Sequence, residues 1–326
     1  MKESTGAKVF LAIAIAFSAL FLAEIAARVM ESKIGSYYYI PMYMGAWGPK
    51  ANQPSPIFGW EHVPGAYDFN SLGFVNPEYP IKKGSGVYRI MLIGDSLAEG
   101  YGPELLNQIN AKYSGKRKIE VWDLGVGAYN IAQIARTLRY RGLHYNPDIV
   151  ILFICPIEIE PGEPTMYKTG GKLFMLPWDG NKPRSLAFGL LWRHSALYRL
   201  SVLKYLDITL SRKPHPLPDR FTFGLDQMAA IKNECAAAHV PLVAFLFPYL
   251  MPFSQYTERE RNDYLIWKMI LKHLDVRYFD LTPMLDGRMM EKMRNKPKDY
   301  IHFDTAGRVL SMRLVHNILL RNHYLP

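Results

Sequence analysis

Three residues that lie far apart along the chain have the side-chain types of a nucleophilic catalytic centre. Ser96 follows a Gly-Asp pair at the end of a short apolar run, where a glycine lets the chain turn sharply and present the hydroxyl. Asp299 and His302 are three positions apart, so one turn can place both side chains on the same side. A serine needs an adjacent base, and a carboxylate can hold the imidazole in the required tautomer. This combination predicts a serine nucleophile with a histidine base, and such chemistry needs neither a metal nor a cofactor.

Each of these residues also has a common structural role. A serine after a strand often caps the next helix, and a histidine before a helix often caps it or lies on the surface. The position of Ser96 favours the catalytic interpretation, because the N-terminus of a following helix would stabilise negative charge developing there. The other eight histidines lack a comparably placed carboxylate and are interpreted as structural.

The elements that must position these residues alternate from residue 87 onward between short apolar runs and helical stretches. The predicted strands are Tyr88–Ile93, Ile119–Leu124, Ile149–Ile154, Pro241–Phe247 and Val276–Phe279. The predicted helices span residues 102–113, 130–142, 225–238, 258–273 and 304–320. This alternation predicts an α/β domain with a mainly parallel sheet covered on both faces. Functional groups collect at the carboxyl ends of such strands, where Ser96 is placed.

The N-terminal segment from Val9 to Ala27 reads VFLAIAIAFSALFLAEIAA and carries one charge, Glu24. Its length is close to the roughly 20 residues that a helix needs to cross a bilayer. We therefore expect residues 1–8 in the cytoplasm, a single transmembrane anchor over 9–30 and the main domain outside the cytoplasmic membrane. A signal peptide cleaved after Ala26 or Ala27 is the alternative.

The remainder divides into a leading segment and one domain with an insertion. Residues 31–84, rich in Pro and Gly from 48 onward, are predicted to be a stalk or a cover over the domain. The domain spans 85–326, with an insertion at about 155–224 that is too long for a plain crossover. A helix predicted over 186–211 has leucines every three or four residues, which favours packing on the domain over a lid or membrane-surface element.

Composition narrows the function classes. The 326 residues are 49% hydrophobic with a net charge of +10, a globular balance with a basic surface. No zinc-finger, RNA-binding or basic-zipper pattern is present, so we expect no nucleic-acid partner. Cys155 and Cys235 are predicted to be buried free thiols. The basic run over 288–298 could bind an anionic polymer or headgroup, although a solvated basic face is the commoner explanation.

Taken together, the motifs resemble those of the SGNH hydrolase (GDSL esterase/lipase) family in its membrane-anchored bacterial form. The resemblance is carried by Gly94-Asp95-Ser96 after the first strand and by Asp299-x-x-His302 before the last helix. NSLGF at 70–74 and NPD at 146–148 support it. It implies a three-layer flavodoxin-like fold and acyl hydrolysis or transfer, with Ser96 as nucleophile, His302 as base and Asp299 as its orienting group.

The same resemblance implies an oxyanion hole, and the sequence departs from the family pattern there. A glycine N–H of the second block should join the Ser96 N–H, and alignment places Gly127 or Ala128 at that position. The third block should end in Gly-x-Asn, whereas this chain reads CPIEIE at 155–160. Losing one oxyanion donor can cost about 10²–10³ in rate. Asn130 is a candidate replacement from the second-block loop.

Two functions remain open at this point. The first is a membrane-tethered serine acyl-ester hydrolase or O-acyltransferase that acts on an O-acylated glycan or lipid. The second is a catalytically lapsed binding or assembly protein that keeps the fold, an alternative suggested by the missing asparagine and the long insertion. The three retained catalytic side chains favour the enzyme.

Overall fold

The computed structural model describes residues 5–34, 51–161, 165–169, 172–176, 191, 194–198, 200–201, 219–285 and 287–326. The chain forms two units, one comprising residues 1–41 and 164–217, the other residues 42–163 and 218–326. In chain order the strands are β1 (Asn52–Ser55), β2 (Gly59–His62), β3 (Val87–Ile93), β4 (Lys118–Asp123), β5 (Ile149–Ile154), β6 (Thr165–Thr169), β7 (Lys172–Leu176), β8 (Leu242–Leu246) and β9 (Tyr278–Asp280). The helices are α1 (Thr5–Ile34), α2 (Gly102–Asn110), α3 (Ile131–Tyr140), α4 (Arg220–Ala237), α5 (Glu258–His273), α6 (Gly287–Lys292) and α7 (Thr305–Arg321).

The centre of the larger unit is a five-stranded sheet in the order β4-β3-β5-β8-β9. All of its neighbouring strands are parallel. Every residue of β5 is buried, as expected for an apolar strand that is covered on both faces. Helix α2 packs with α7, whereas α3 packs with α4 and α4 with α5, which gives helical layers beside the sheet. The predicted parallel α/β fold of flavodoxin-like order is confirmed, with all five predicted strands and all five predicted helices in place.

This strand order locates the functional end of the sheet. After β3 the chain crosses to β4 on one side and then returns to β5 on the other side of β3. Loops leaving the carboxyl ends of β3 and β5 therefore diverge, and the crevice between them is where open α/β sheets bind ligands. Residues 94–101 leave β3 at this point, so Ser96 lies at the switch point of the sheet.

Residues 51–84 pack closely on the rest of the larger unit. The β1–β2 hairpin pairs Asn52 with His62 and buries Trp60, which is 1% exposed. The Tyr129 hydroxyl donates to the backbone carbonyl of Trp60, and the Gln133 side chain donates to the carbonyl of Phe58 at 2.6 Å. The hairpin is thereby tied to the loop that follows β4 and to α3.

The smaller unit contains the apolar N-terminal helix. Within α1, residues Gly6–Met30 are long and apolar enough to cross a membrane, with a mean hydropathy of 2.4, and could equally be a signal sequence. Glu24, the one charge in the apolar run, accepts hydrogen bonds from the backbone N–H groups of Ala196 and Leu197 at 2.9 and 3.0 Å. The Ser195 hydroxyl also donates to it. Most of the helix predicted over 186–211 lies outside the described residues.

Candidate active site

The turn that carries Ser96 is shaped by the residues on either side of it. A Cβ atom at Gly94 would lie 2.9 Å from both the Ala98 Cβ and the Phe153 carbonyl oxygen, so no larger residue fits there. The Asp95 carboxyl accepts from the Leu97 N–H at 2.8 Å, and its carbonyl accepts from the Ala98 N–H at 3.1 Å. These bonds hold a tight turn directly after β3, with Ser96 half-buried at its surface.

The helix following Ser96 begins at Gly102, where it was predicted. Turns separate Ser96 from this helix start, and the Gly102 N–H donates to the Asp123 carboxylate at 2.8 Å. Because a carboxylate already occupies the helix N-terminus, that end of α2 is not available to an oxyanion at Ser96. Stabilisation of a developing oxyanion has to come from backbone groups of the turns instead.

The Asp299-x-x-His302 segment folds as one hydrogen-bonded turn. The Asp299 carboxylate accepts from the backbone N–H groups of Ile301 and His302 at 3.1 and 3.0 Å. It also lies 2.9 Å from Nδ1 of His302. Partial burial opposes ionisation of Asp299, but the His302 N–H, the charge of its ring and the Ile301 N–H outweigh burial and hold the pKa of Asp299 below its usual value.

Nε2 of His302 lies 2.8 Å from Oγ of Ser96. Since the Asp299 carboxylate can only accept, Nδ1 of His302 carries a proton and Nε2 offers a lone pair to the Ser96 hydroxyl. The structure thus brings the three predicted residues into one hydrogen-bonded line, Asp299 to His302 to Ser96. This is the arrangement in which an imidazole can take a proton from a serine hydroxyl.

Two carboxyl groups are buried directly behind the serine. Asp95 is 4% exposed and Glu158, in a short 3₁₀ helix after β5, is 2% exposed. Burial raises the pKa of Asp95, and burial together with the neighbouring Asp95 carboxyl raises that of Glu158 well above its ordinary value. Burial therefore favours the neutral form of Glu158, whose carboxyl can then donate a hydrogen bond.

The two aligned candidates for the second oxyanion donor differ in their hydrogen bonding. The Gly127 N–H donates to Oε2 of Glu99 at 2.6 Å. The N–H groups of Ala128 and Ser96 make no hydrogen bond with the part of the chain that the structure describes. Ala128 is partly exposed and has a φ of 64°, a left-handed conformation that glycine adopts more readily. Ser96 and Ala128 therefore have donors available for an oxyanion.

Asn130, the third candidate, has a different role. Its side-chain oxygen accepts from the N–H groups of Ala132 and Gln133 at 3.1 Å each, forming a capping box with Gln133 at the start of α3. Its amide nitrogen donates to the Glu160 carbonyl at 3.4 Å. Its side-chain oxygen is therefore committed to capping α3, and one of the two N–H groups of its amide is directed at Glu160.

The structure places a carboxyl group beside His62, one of the eight histidines that were interpreted as lacking such a partner. His62, 5% exposed, places Nε2 at 3.4 Å from Oε1 of Glu99. Glu99 belongs to the same turn as Ser96, whereas His62 is on β2, so no local spacing connects the two. A glutamate three residues after the nucleophile was the single sequence signal that could have drawn attention to this pair.

The structure is similar to several solved esterases and hydrolases. They include a lipase/acylhydrolase from Enterococcus faecalis, with 13% identity, a TM-score of 0.43, and 71% of this chain and 95% of that chain covered. An acetylxylan esterase from Geobacillus stearothermophilus has 14% identity and a TM-score of 0.44, with 71% of this chain and 94% of that chain covered. An alpha/beta hydrolase enzyme from the metagenome of Lake Arreo, Spain, has 16% identity and a TM-score of 0.45, with 72% of this chain and 96% of that chain covered. No family model and no curated protein matches the sequence.

Buried free thiols are confirmed for both cysteines. Cys155 follows β5 beneath the site and is 1% exposed, and burial raises its pKa well above the ordinary value. Burial likewise raises the pKa of Cys235 to about 12. Neither thiol is a thiolate at neutral pH, so neither competes with Ser96 as a nucleophile.

Proposed function

We propose that this chain is a serine acyl-ester hydrolase or O-acyltransferase that uses Ser96 as nucleophile, His302 as general base and Asp299 as orienting carboxylate. The observation that carries the proposal is the 2.8 Å separation between Nε2 of His302 and Oγ of Ser96, with Asp299 on the opposite ring nitrogen. A capping role for Ser96 and a surface role for His302 would not require the two side chains to form a hydrogen-bonded line with Asp299.

The proposed reaction has two half-reactions. His302 takes the Ser96 proton while Oγ attacks the acyl carbonyl, and the N–H groups of Ser96 and Ala128 stabilise the oxyanion. The tetrahedral intermediate collapses, the alcohol leaves with the proton from His302, and the acyl group stays on Ser96. Water or a sugar hydroxyl then attacks the acyl carbonyl while His302 takes its proton. The bond between the acyl group and Oγ breaks, His302 returns the proton to Ser96, and the acid or the new ester leaves. The same residues therefore serve hydrolysis and transfer.

We further propose that α1 anchors the enzyme in the cytoplasmic membrane, with the larger unit outside and an O-acylated glycan or lipid as substrate. The support is the length and apolarity of Gly6–Met30. The basic run over 288–298 contributes less to binding an anionic headgroup than its charge suggests. Within it, Arg294 donates to the Leu250 and Pro297 carbonyls and is therefore partly committed to the fold.

One observation favours the alternative of a lapsed, binding or assembly protein. No side-chain amide lies in the Pro156–Ile159 turn after β5, and the one carboxyl group of that turn, Glu158, is buried at 2% exposure. The site would then rely on backbone donors, and losing one donor costs about 10²–10³ in rate.

Labelling of the full-length chain in detergent with a fluorophosphonate separates these functions. We expect wild type and Ser85→Ala, a change at an exposed serine in a turn, to be labelled equally, and Ser96→Ala and His302→Ala to remain unlabelled. A folded wild-type chain that takes no label excludes the enzyme and supports the lapsed protein. Adding a glycan acceptor to the acyl-enzyme and analysing products by mass spectrometry then distinguishes transfer from hydrolysis.

A further inference from the structure

A second group of polar side chains lies beside Ser96, outside the Asp299–His302 line. Oε2 of Glu99 accepts from the Gly127 N–H at 2.6 Å, and Oε1 lies 3.4 Å from Nε2 of His62. Nδ1 of His62 lies 2.8 Å from Oδ1 of Asn52. The Glu99 and His62 side chains are 7% and 4% exposed, so these groups are largely withdrawn from water.

The hairpin that supplies His62 holds its ring rigidly. Asn52 and His62 are direct partners in the β1–β2 register, and the His62 ring stacks on Phe69 with centroids 4.0 Å apart. Because the Asn52 oxygen can only accept, Nδ1 of His62 carries a proton and Nε2 faces Glu99. The two groups are 3.4 Å apart, so the buried imidazole lies beside the carboxyl group that binds the Gly127 N–H.

The loop on which Glu99 acts is built to come very close to the turn that carries Ser96. A Cβ atom at Gly125 would lie 2.3 Å from the Glu99 nitrogen, and one at Gly127 would lie 2.7 Å from Oε2 of Glu99. The same Gly127 Cβ would lie 3.8 Å from the Cβ of Ser96. The peptide that Glu99 holds therefore borders the nucleophile, and it precedes Ala128, whose N–H is available.

Ala128 needs such support because its φ of 64° lies in the left-handed region, which costs a non-glycine residue about 1–2 kcal/mol. A loop that relaxed from this conformation would turn the Ala128 N–H away. A short hydrogen bond between a carboxylate and the preceding N–H opposes that relaxation, and such charge-assisted bonds are roughly twice as strong as neutral ones.

From these contacts we propose that Glu99, backed by His62, is a positioning residue that holds the Gly127 N–H and thereby orients the Gly127–Ala128 peptide that follows, so that the Ala128 N–H serves the oxyanion. The inference rests on the proposed function, since it assigns a role within the same reaction. It also explains how a site without the third-block asparagine keeps a second donor. The interaction matters most when negative charge develops on the carbonyl oxygen, so its loss lowers kcat and leaves KM nearly unchanged.

The test uses the full-length chain in detergent with p-nitrophenyl acetate as substrate and a fluorophosphonate as a second probe. We expect Glu99→Ala to lower kcat roughly tenfold to a hundredfold, below the cost of losing a whole donor. Glu99→Gln keeps an acceptor for the Gly127 N–H and should recover most of that loss. Glu104→Ala, a change in α2 at a residue bonded to Gln108, is the matched control and should behave as wild type.

A second variant tests the same contact if Glu99→Ala fails to fold. Gly127 does not have a left-handed φ, so Gly127→Ala suits the backbone but pushes the Glu99 carboxylate aside, and we expect a similar loss of kcat. The proposal is overturned if Glu99→Ala or Gly127→Ala leaves kcat unchanged or raises it, or if Glu99→Gln is as impaired as Glu99→Ala. Failure of the proposed function is distinct, because wild type itself would then neither take the probe nor hydrolyse the ester.

Discussion

His302 Nε2 and Ser96 Oγ lie 2.8 Å apart although 206 positions separate the two residues in the chain. Two independent local structures create this contact. The turn after β3 presents the hydroxyl, and the Asp299 carboxylate fixes the His302 backbone and ring together. Because each residue is held by its own turn, the contact requires little reorganisation when a substrate binds, which is the condition for efficient proton transfer.

The role of Asp299 leads to the first prediction. Asparagine at this position keeps the size of the side chain but removes the charge, and its amide can hold His302 in the wrong tautomer. We expect Asp299→Asn to lower kcat for p-nitrophenyl acetate by about 10³- to 10⁴-fold. Asp68→Asn, at an exposed carboxylate, is the control and should retain wild-type kcat. Equal kcat values for Asp299→Asn and wild type would show that Asp299 has no role in the mechanism.

Asp299 also makes stability depend on pH in a specific direction. Its pKa is lowered on folding, so it contributes stability above its unfolded pKa, and that contribution is lost as the pH falls through the folded value. Thermal unfolding of wild type and Asp299→Asn should therefore differ at neutral pH and converge under acid conditions below pH ~4. A difference that persists or grows in acid would contradict this assignment.

Glu158 predicts a pH dependence of the opposite sign. Its pKa is raised in the folded chain, so above the unfolded value the folded state binds the extra proton and stability falls with rising pH. The slope approaches about 1.4 kcal/mol per pH unit for one proton. Glutamine has no such proton to lose, so Glu158→Gln should have a shallower slope than wild type. The remaining slope comes from Asp95 and Asp123, because burial also raises their pKa values.

Thermal unfolding between pH 5 and 8 measures this difference between wild type and Glu158→Gln. Glu104→Gln, at a partly exposed glutamate, should follow the wild-type curve. Parallel curves for Glu158→Gln and wild type would show that Glu158 is ionised in the folded chain.

The positions of these residues show what the sequence could predict and what it could not. Apolar runs located all five sheet strands to within about two residues of their ends, because strands buried on both faces leave a nearly continuous signal. Ser96, Asp299 and His302 were predictable because a strand end or a short local spacing marks each of them. Their contact required the topology, in which residues after β3 and before α7 meet at the carboxyl edge.

The rest depended on burial and on long-range packing. The protonated state of Glu158 follows from its 2% exposure beside Asp95, which no local pattern reveals. The His62–Glu99 pair forms because a hairpin in a segment without periodicity folds onto the turn after β3. The occupation of the α2 N-terminus by Asp123 followed from tertiary contacts, since Asp123 accepts from both Gly102 and Gly125. In each case the decisive partner is distant in sequence.

Ala128 allows a prediction that separates backbone strain from catalysis. Glycine adopts a φ of 64° without the penalty that alanine has, so we expect Ala128→Gly to stabilise the fold by up to about 1 kcal/mol. The N–H is retained, so kcat should stay near the wild-type value. Ala111→Gly is the matched control, since Ala111 has a φ of −62° and glycine there should destabilise. A loss of stability in Ala128→Gly would contradict the left-handed assignment.

A buried ion pair between neighbouring strands of the sheet leads to the last prediction. Arg89 on β3 is fully buried, donates to Glu120 on β4 at 3.0 Å, and also donates to the Pro80 and Tyr145 carbonyls. Arg89→Met removes the guanidinium partner of Glu120, which is buried at 2% exposure and keeps the Trp122 indole N–H at 3.2 Å and the Lys118 ammonium at 3.5 Å. The carbonyls that Arg89 binds lose their donor as well. Breaking a buried pair in this way costs about 3–5 kcal/mol.

We expect Arg89→Met to lower the thermal midpoint strongly, whereas Arg139→Met, which breaks the surface pair with Glu234, should change it little. The double variant Arg89→Met, Glu120→Leu decides whether the loss arises from the unpaired charge. Removing both partners should restore much of the midpoint, because an apolar pair avoids the cost of burying an isolated carboxylate. If the double variant is as unstable as Arg89→Met, the carbonyl contacts of Arg89 rather than its charge pairing hold residues 80–81 against the sheet.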